Sequence, residues 1–124
     1  MDRMNQRLPK SLRICQQPKI QQILAAGHKY IGSHLILYCL ASTTSETPIR
    51  AGFLSAKRLG KAVRRNRLRR QMRELFRRYR AKMSGSQQIL IMGRTSAIGA
   101  TYQTLHHDFL ELCRKARLLP PCDP

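Results

Sequence analysis

"AVRRNRLRRQMRELFRRYRAKM", residues 62–83, decides how this chain folds. Leu68, Met72, Leu75, Tyr79 and Met83 recur at i, i+4, i+7, i+11 and i+15, with Phe76 beside them. That spacing draws one apolar stripe along a helix. At about 100° per residue, Asn66, Arg69, Arg70, Arg73, Arg77 and Arg80 take the opposite arc. A helix this amphipathic needs an apolar layer to lie on, and the flanking sequence offers strands for it.

Upstream, "SHLILYCLA" (33–41) is a short apolar run that predicts a strand covered on both faces. The polar "STTSETP" (42–48) predicts a turn, and "IRAGFLSA" (49–56) a second strand. Their short separation predicts antiparallel pairing between them. Downstream, "SGS" (84–86) ends the helix and "QQILIMG" (87–93) predicts a third strand. After a loop at 94–100, Tyr102, Leu105, Phe109, Leu112, Cys113 and Ala116 predict another amphipathic helix. Near the start, Pro18 and Gly27 bracket a short helix with Ile20, Ile23 and Leu24 on one face. The basic, Pro-broken stretch to residue 13 reads as an arm. The core spans about residues 10–118, with 1–9 and 119–124 expected to be mobile. The order predicts a single α+β domain, a sheet covered by helices, with a βαβ crossover if the second and third strands lie parallel.

The 124 residues fit one domain and, at 42% hydrophobic, one compact core. Lys and Arg number 24 against six acids, a net charge of +18. Self-repulsion of that size needs a polyanion to offset it, nucleic acid or an anionic membrane face. No run of about 18 uncharged apolar residues spans a bilayer, and "MDRMNQRLPKSLRI" lacks the apolar stretch of a secretory signal. A cytoplasmic protein is expected, with Cys15, Cys39, Cys113 and Cys122 as thiols and Cys39 and Cys113 as core residues.

Chemistry of the chain's own is hard to find in the sequence. Asp108 and Glu111 share a helix face but read as solvated charges. Glu74 sits among arginines and is expected to pair with Arg70, Arg77 or Arg78. His106 and His107 are adjacent, so they point apart on a helix, and no Cys-x-x-Cys exists; no metal site is expected. "GRTSAIG" lacks the ending of a phosphate loop. What remains is basic surface: residues 57–82 carry 13 of the 24 basic side chains, with Glu74 the one acid among them. A merely solvated face mixes signs. Guanidinium forks match phosphate oxygens, so nucleic acid is favoured over a membrane, since the apolar stripe is needed to cover strands.

"AGFLSAKRLGKAVRRNRLRRQMRELFRR" resembles the protein subunit of bacterial ribonuclease P. The matching residues are Gly52, Lys57, Arg58, Gly60, Lys61, Ala62, Val63, Arg65, Asn66, Arg67, Arg69, Arg70, Arg73, Glu74 and Phe76. "AAGHKYIGSHLILYCL", "QQILIMGR" and "TYQTLHHDFLELCRKARLL" extend the resemblance to about residues 10–118. It implies an α+β sandwich of a four-stranded sheet and about three helices, like the second domain of ribosomal protein S5, with a left-handed βαβ crossover. It implies a partner, the catalytic RNA of ribonuclease P, which with Mg²⁺ removes the 5′ leader of precursor tRNA. No cofactor is expected on the protein itself, and neither a membrane nor an obligate protein partner. Carried over, Lys57, Arg58, Lys61, Arg65, Asn66, Arg67, Arg69, Arg70 and Arg73 face the catalytic RNA. Asn66 either fixes neighbouring groups or bonds local backbone at the helix start. Ile20, Leu24 and Tyr38 line the leader cleft, the first two where the family commonly has Phe. A ribosomal-type structural RNA-binding protein is the alternative.

Overall fold

The structure, a computed structural model, describes residues 13–14, 16–41, 49–56, 59–83 and 87–119. The predicted turn at 42–48, the helix stop at 84–86, Cys15, Cys122, Lys57, Arg58 and most of both expected mobile ends lie outside these residues. The elements run α1 (Gln17–Ala26), β1 (His28–Ile31), β2 (Leu35–Ala41), β3 (Arg50–Leu54), α2 (Ala62–Tyr79), β4 (Gln87–Gly93) and α3 (Tyr102–Lys115). Short 3₁₀ turns follow α2 and β4.

The four strands form one mixed sheet in the order β1-β2-β4-β3. β1 pairs antiparallel with β2, and β2 antiparallel with β4, placing Leu90 beside Tyr38. β3 pairs parallel with β4, so β3-α2-β4 is a βαβ unit. The expected antiparallel pairing of the first two predicted strands, 33–41 and 49–56, is therefore wrong: β4 lies between β2 and β3. Its residues Gln88 to Ile91 are all buried, because a central strand is covered on both faces. β1 was not foreseen as a strand; it has four residues and its burial does not alternate.

The sheet carries a core on each face. Leu35, Leu37 and Cys39 of β2 and Ile89 and Ile91 of β4 meet Leu68, Met72, Leu75 and Phe76 of α2 and Leu105, Phe109, Leu112 and Cys113 of α3. On the other face Ile20 and Ile23 of α1 close over Leu90 and Ile14, with Leu24, Tyr38, Leu40 and Leu54 packed around them. Both predicted stripes thus do the packing their spacing implied. Cys39 and Cys113 are buried free thiols. Burial pushes the Cys39 thiol up to about 12 and raises Cys113 further, so neither is a nucleophile at neutral pH.

Arg13, the last residue of the expected arm, and Leu119, the first of the expected C-terminal mobile end, are both tied to the fold. Arg13 bridges Ala51, and the Ile14 amide donates to the Ala51 carbonyl at 2.8 Å, which lays this segment along the open edge of β3. Gly52 permits the approach: a Cβ there would meet Leu90 Cδ2 at 2.6 Å and the Ile14 carbonyl oxygen at 2.9 Å. At the far end Leu118 and Leu119 are buried in the main core. Their amides donate to the Cys113 carbonyl at 2.8 and 3.3 Å, closing α3 after Arg117 takes a positive φ of 62°.

Asp108 overturns another expectation. It is 7% exposed, and it accepts the backbone amides of Ser33 at 3.1 Å, His34 at 2.9 Å and Leu35 at 2.8 Å. One carboxylate on α3 therefore satisfies three consecutive N–H groups at the entry to β2, while the Gly32 amide of the same turn donates to the Leu35 carbonyl at 2.8 Å. Gly32 leaves room for it; a Cβ there would stand 2.6 Å from Oδ1. Glu111, as read, is exposed and pairs with His107 at 2.6 Å.

Candidate nucleic-acid interface

Helix α2 is held by four buried residues and gives most of the rest of its circumference to charge. Arg64, Arg67 and Arg70 are exposed, and none has a hydrogen-bond or ion-pair partner among the described residues. Val63, 78% exposed, sits among them and presents an apolar contact beside the guanidinium groups. Lys61 precedes the first turn as the N-cap residue. The other arginines are oriented. Arg65 Nε donates to the Gly60 carbonyl at 3.1 Å. Arg69 donates to Ser55 Oγ at 3.2 Å and also to Asn66 Oδ1. Asn66 is exposed, one turn inside the helix, and caps nothing; of its two readings, positioning a neighbour is the one the geometry supports. Glu74 pairs with Arg77, one of the three partners expected for it. Arg78 Nη1 donates to the Tyr102 hydroxyl at 3.2 Å. That bond tethers the end of α2 to the start of α3.

Ile20, Leu24 and Tyr38 come together on the opposite face of the sheet, in the α1 core. Ile20 is buried there; Leu24 and Tyr38 are partly exposed. The Lys29 ammonium stands 5.8 Å from the centre of the Tyr38 ring, over its face. At the β3 edge a cavity of 280 Å³ joins this apolar cluster to the basic helix. Ile14, Ile20 and Leu54 line it together with Arg13, Arg69 and Arg73. The sequence reading missed Arg13, since it was assigned to a mobile arm.

Among the described residues no group of three or more His, Cys, Asp or Glu is placed to hold a metal ion, and no helix is long and apolar enough to cross a membrane. Two of the histidines serve the fold. His34 Nδ1 meets Ser96 Oγ at 2.9 Å, and His106 bonds the Tyr79 hydroxyl. Burial, and next the charge of Arg78, lower the His106 pKa and favour its neutral ring.

Fold and surface define a class: a single-domain α+β protein with a nearly single-signed arginine helix laid across a mixed sheet. A family model described as Ribonuclease P matches residues 8–117. The chain belongs to the ribonuclease P protein family. It is 32% identical to the ribonuclease P protein component of a Pseudanabaena species, across 90% of this chain and 97% of that protein. The corresponding component of Desulfosudis oleivorans is 31% identical, across 92% of this chain and 93% of that protein. The RNase P protein of Staphylococcus aureus superposes with a TM-score of 0.80 at 23% identity, covering 89% of this chain and 99% of that one, a likeness of fold.

Proposed function

We propose that this chain is the RNA-binding subunit of ribonuclease P: it assembles with the catalytic RNA and holds the 5′ leader of precursor tRNA. The RNA and its Mg²⁺ cleave the leader, and the protein supplies surface rather than reacting groups. The observation that carries the reading is the cavity at the β3 edge, where Arg69 and Arg73 of the arginine helix meet Ile20 and Leu54 of the α1 cluster. A phosphate-binding face thereby runs into an apolar groove, the pairing a single strand needs for its backbone and its bases. Lys61, Arg65, Asn66, Arg67 and Arg70 continue the face along α2, and Lys57 and Arg58 precede it in sequence. A cytoplasmic setting follows from such partners.

The decisive experiment adds the purified protein to a bacterial ribonuclease P RNA at low Mg²⁺. Restored 5′ maturation of precursor tRNA is expected, with no cleavage by the protein alone. RNA binding without any effect on maturation would favour a ribosomal-type structural protein, and liposomes that displace the RNA would favour a membrane role.

Affinity for structured RNA is expected to fall steeply with salt. If about five phosphates are neutralised, log K against log salt has a slope of roughly −3.5 to −4.5. A slope near zero in a filter-binding titration would point to an apolar partner.

Tyr38→Leu tests the cleft. Base–aromatic stacking contributes about 1–3 kcal/mol. The lower end is expected, because Ile20 and Leu24 stand beside it in place of rings. Affinity for precursor tRNA should drop several-fold while affinity for mature tRNA and for the catalytic RNA holds. Equal losses for both tRNAs would leave Tyr38 a packing residue of the α1 core.

A further inference from the structure

Helix α2 also borders a larger hollow than the one at the β3 edge. On the opposite flank, between α2 and the loop entering α3, lies a cavity of 490 Å³. Arg64, Arg67 and Gln71, at i, i+3 and i+7, line one wall with Leu68 at its base. The other wall is the 97–101 loop, including Ile98, Gly99 and Ala100. That wall is ordered: the Ala97 amide donates to Arg94 at 2.9 Å, the Ala100 amide to Ala97 at 3.2 Å, and the Thr101 hydroxyl caps α3 by accepting the Thr104 amide at 3.1 Å. The volume falls in the roughly 300–1,000 Å³ range of small-ligand sites. Neither Arg64 nor Arg67 has a hydrogen-bond or ion-pair partner among the described residues.

The chemistry selects the occupant. Two neighbouring guanidinium groups without a partner favour an anion, and phosphate oxygens match their fork. A bare phosphate leaves the apolar base of Leu68, Ile98 and Ala100 uncovered. A nucleobase covers it, and the Gln71 carboxamide, with donors and an acceptor, suits the polar edge of a base. We propose that this cavity seats one unstacked nucleotide of the RNA partner, base against Ile98 and Leu68, phosphate against Arg64 and Arg67. The proposal rests on the RNA-binding reading above and adds a second contact region, on the flank of α2 facing away from the leader cleft. It brings Arg64 and Gln71, outside the set carried over from the family resemblance, into the interface. Structured RNA displays such extruded bases in bulges and loops.

The test titrates adenosine 5′-monophosphate into the full ¹⁵N-labelled chain, with inorganic phosphate in parallel. Saturable shifts are expected at the amides of Ile98, Gly99 and Ala100, with the nucleotide binding roughly 5-fold or more tighter than phosphate, the lower end of base stacking. Gln71→Glu keeps size and helix propensity but places a carboxylate between the guanidinium groups, and should abolish those shifts without moving the thermal transition. Shifts reproduced in full by phosphate alone, or unchanged in Gln71→Glu, overturn the nucleotide site. A parallel titration with ribonuclease P RNA separates the two readings. A parent chain that binds the RNA no more tightly than Gln71→Glu does removes this contact and leaves the subunit role standing. A parent chain that binds no structured RNA removes the subunit role.

Discussion

Arg67→Ala and Arg70→Ala are each expected to weaken assembly with the catalytic RNA by roughly 10- to 150-fold, the equivalent of about 1.5–3 kcal/mol for a charged hydrogen bond to phosphate. Both side chains are exposed and neither is among the four buried residues of α2, so little packing goes with them. Neither has a hydrogen-bond or ion-pair partner in the described structure, so no internal interaction is lost. The two lie three residues apart on one helix, close enough to share a phosphate, and the double variant is expected to lose less than the sum. Affinity measured at moderate salt, together with a thermal melt, decides the matter. Parental affinity in both variants, or a lost folding transition in either, contradicts the assignment of this arc to RNA.

Asp108→Ala is expected to destabilise the fold by about 3–5 kcal/mol, among the larger effects a point substitution produces. Three amides donate to that one carboxylate. Removing it strands them at about 1–3 kcal/mol each where they are buried. Asp108→Asn keeps one acceptor oxygen and should lose roughly half as much. In urea, where a small domain has an m-value of about 1–3 kcal/mol/M, the Ala variant's midpoint should fall by at least about 1 M. Glu111→Ala, one turn along the same helix and exposed, should stay within about 0.5 kcal/mol of the parent. Matching midpoints for the two alanine variants would mean the turn finds other acceptors.

Asp108 also shows where the sequence could be read further. It stands three residues after Leu105 and four before Leu112, inside the apolar stripe of α3, and both of those leucines are buried. An acid on a buried stripe is a signal in itself, because burial requires partners. What the sequence could not supply was their identity, since the amides of 33–35 are over seventy residues away. Helices α2 and α3 were legible because their stripes run about four turns, and α1 because Pro18 and Gly27 bracket it. The order of the strands was not. Short apolar runs report burial but not neighbours, so β2 and β3 looked like a hairpin when β4 was to come between them. β1, four residues with His28 and Lys29 exposed, carries no alternation to read. In the candidate interface, the arginine arc was plain from periodicity. The cavity at the β3 edge was not, because it depends on Arg13 and Ile14 lying along that strand.

The position of β4 bears on how the chain reaches its native state. Among the described residues, β4 is the strand that β3 pairs with in the sheet, and it is the last strand in sequence. Until residues 87–93 arrive, β1 and β2 can form a local hairpin, but β3 has no slot to enter. Closing the sheet then brings Ala41 beside Gln87 across a long intervening segment that includes all of α2. Such non-local pairing is slow relative to hairpin or helix formation. During that interval the face of α2 carrying Leu68, Met72, Leu75 and Phe76 has no sheet to cover. A nascent chain paused short of Gln87 is therefore the species most prone to self-association, and the repulsion among the arginines on the other side of the same helix is what keeps such chains apart.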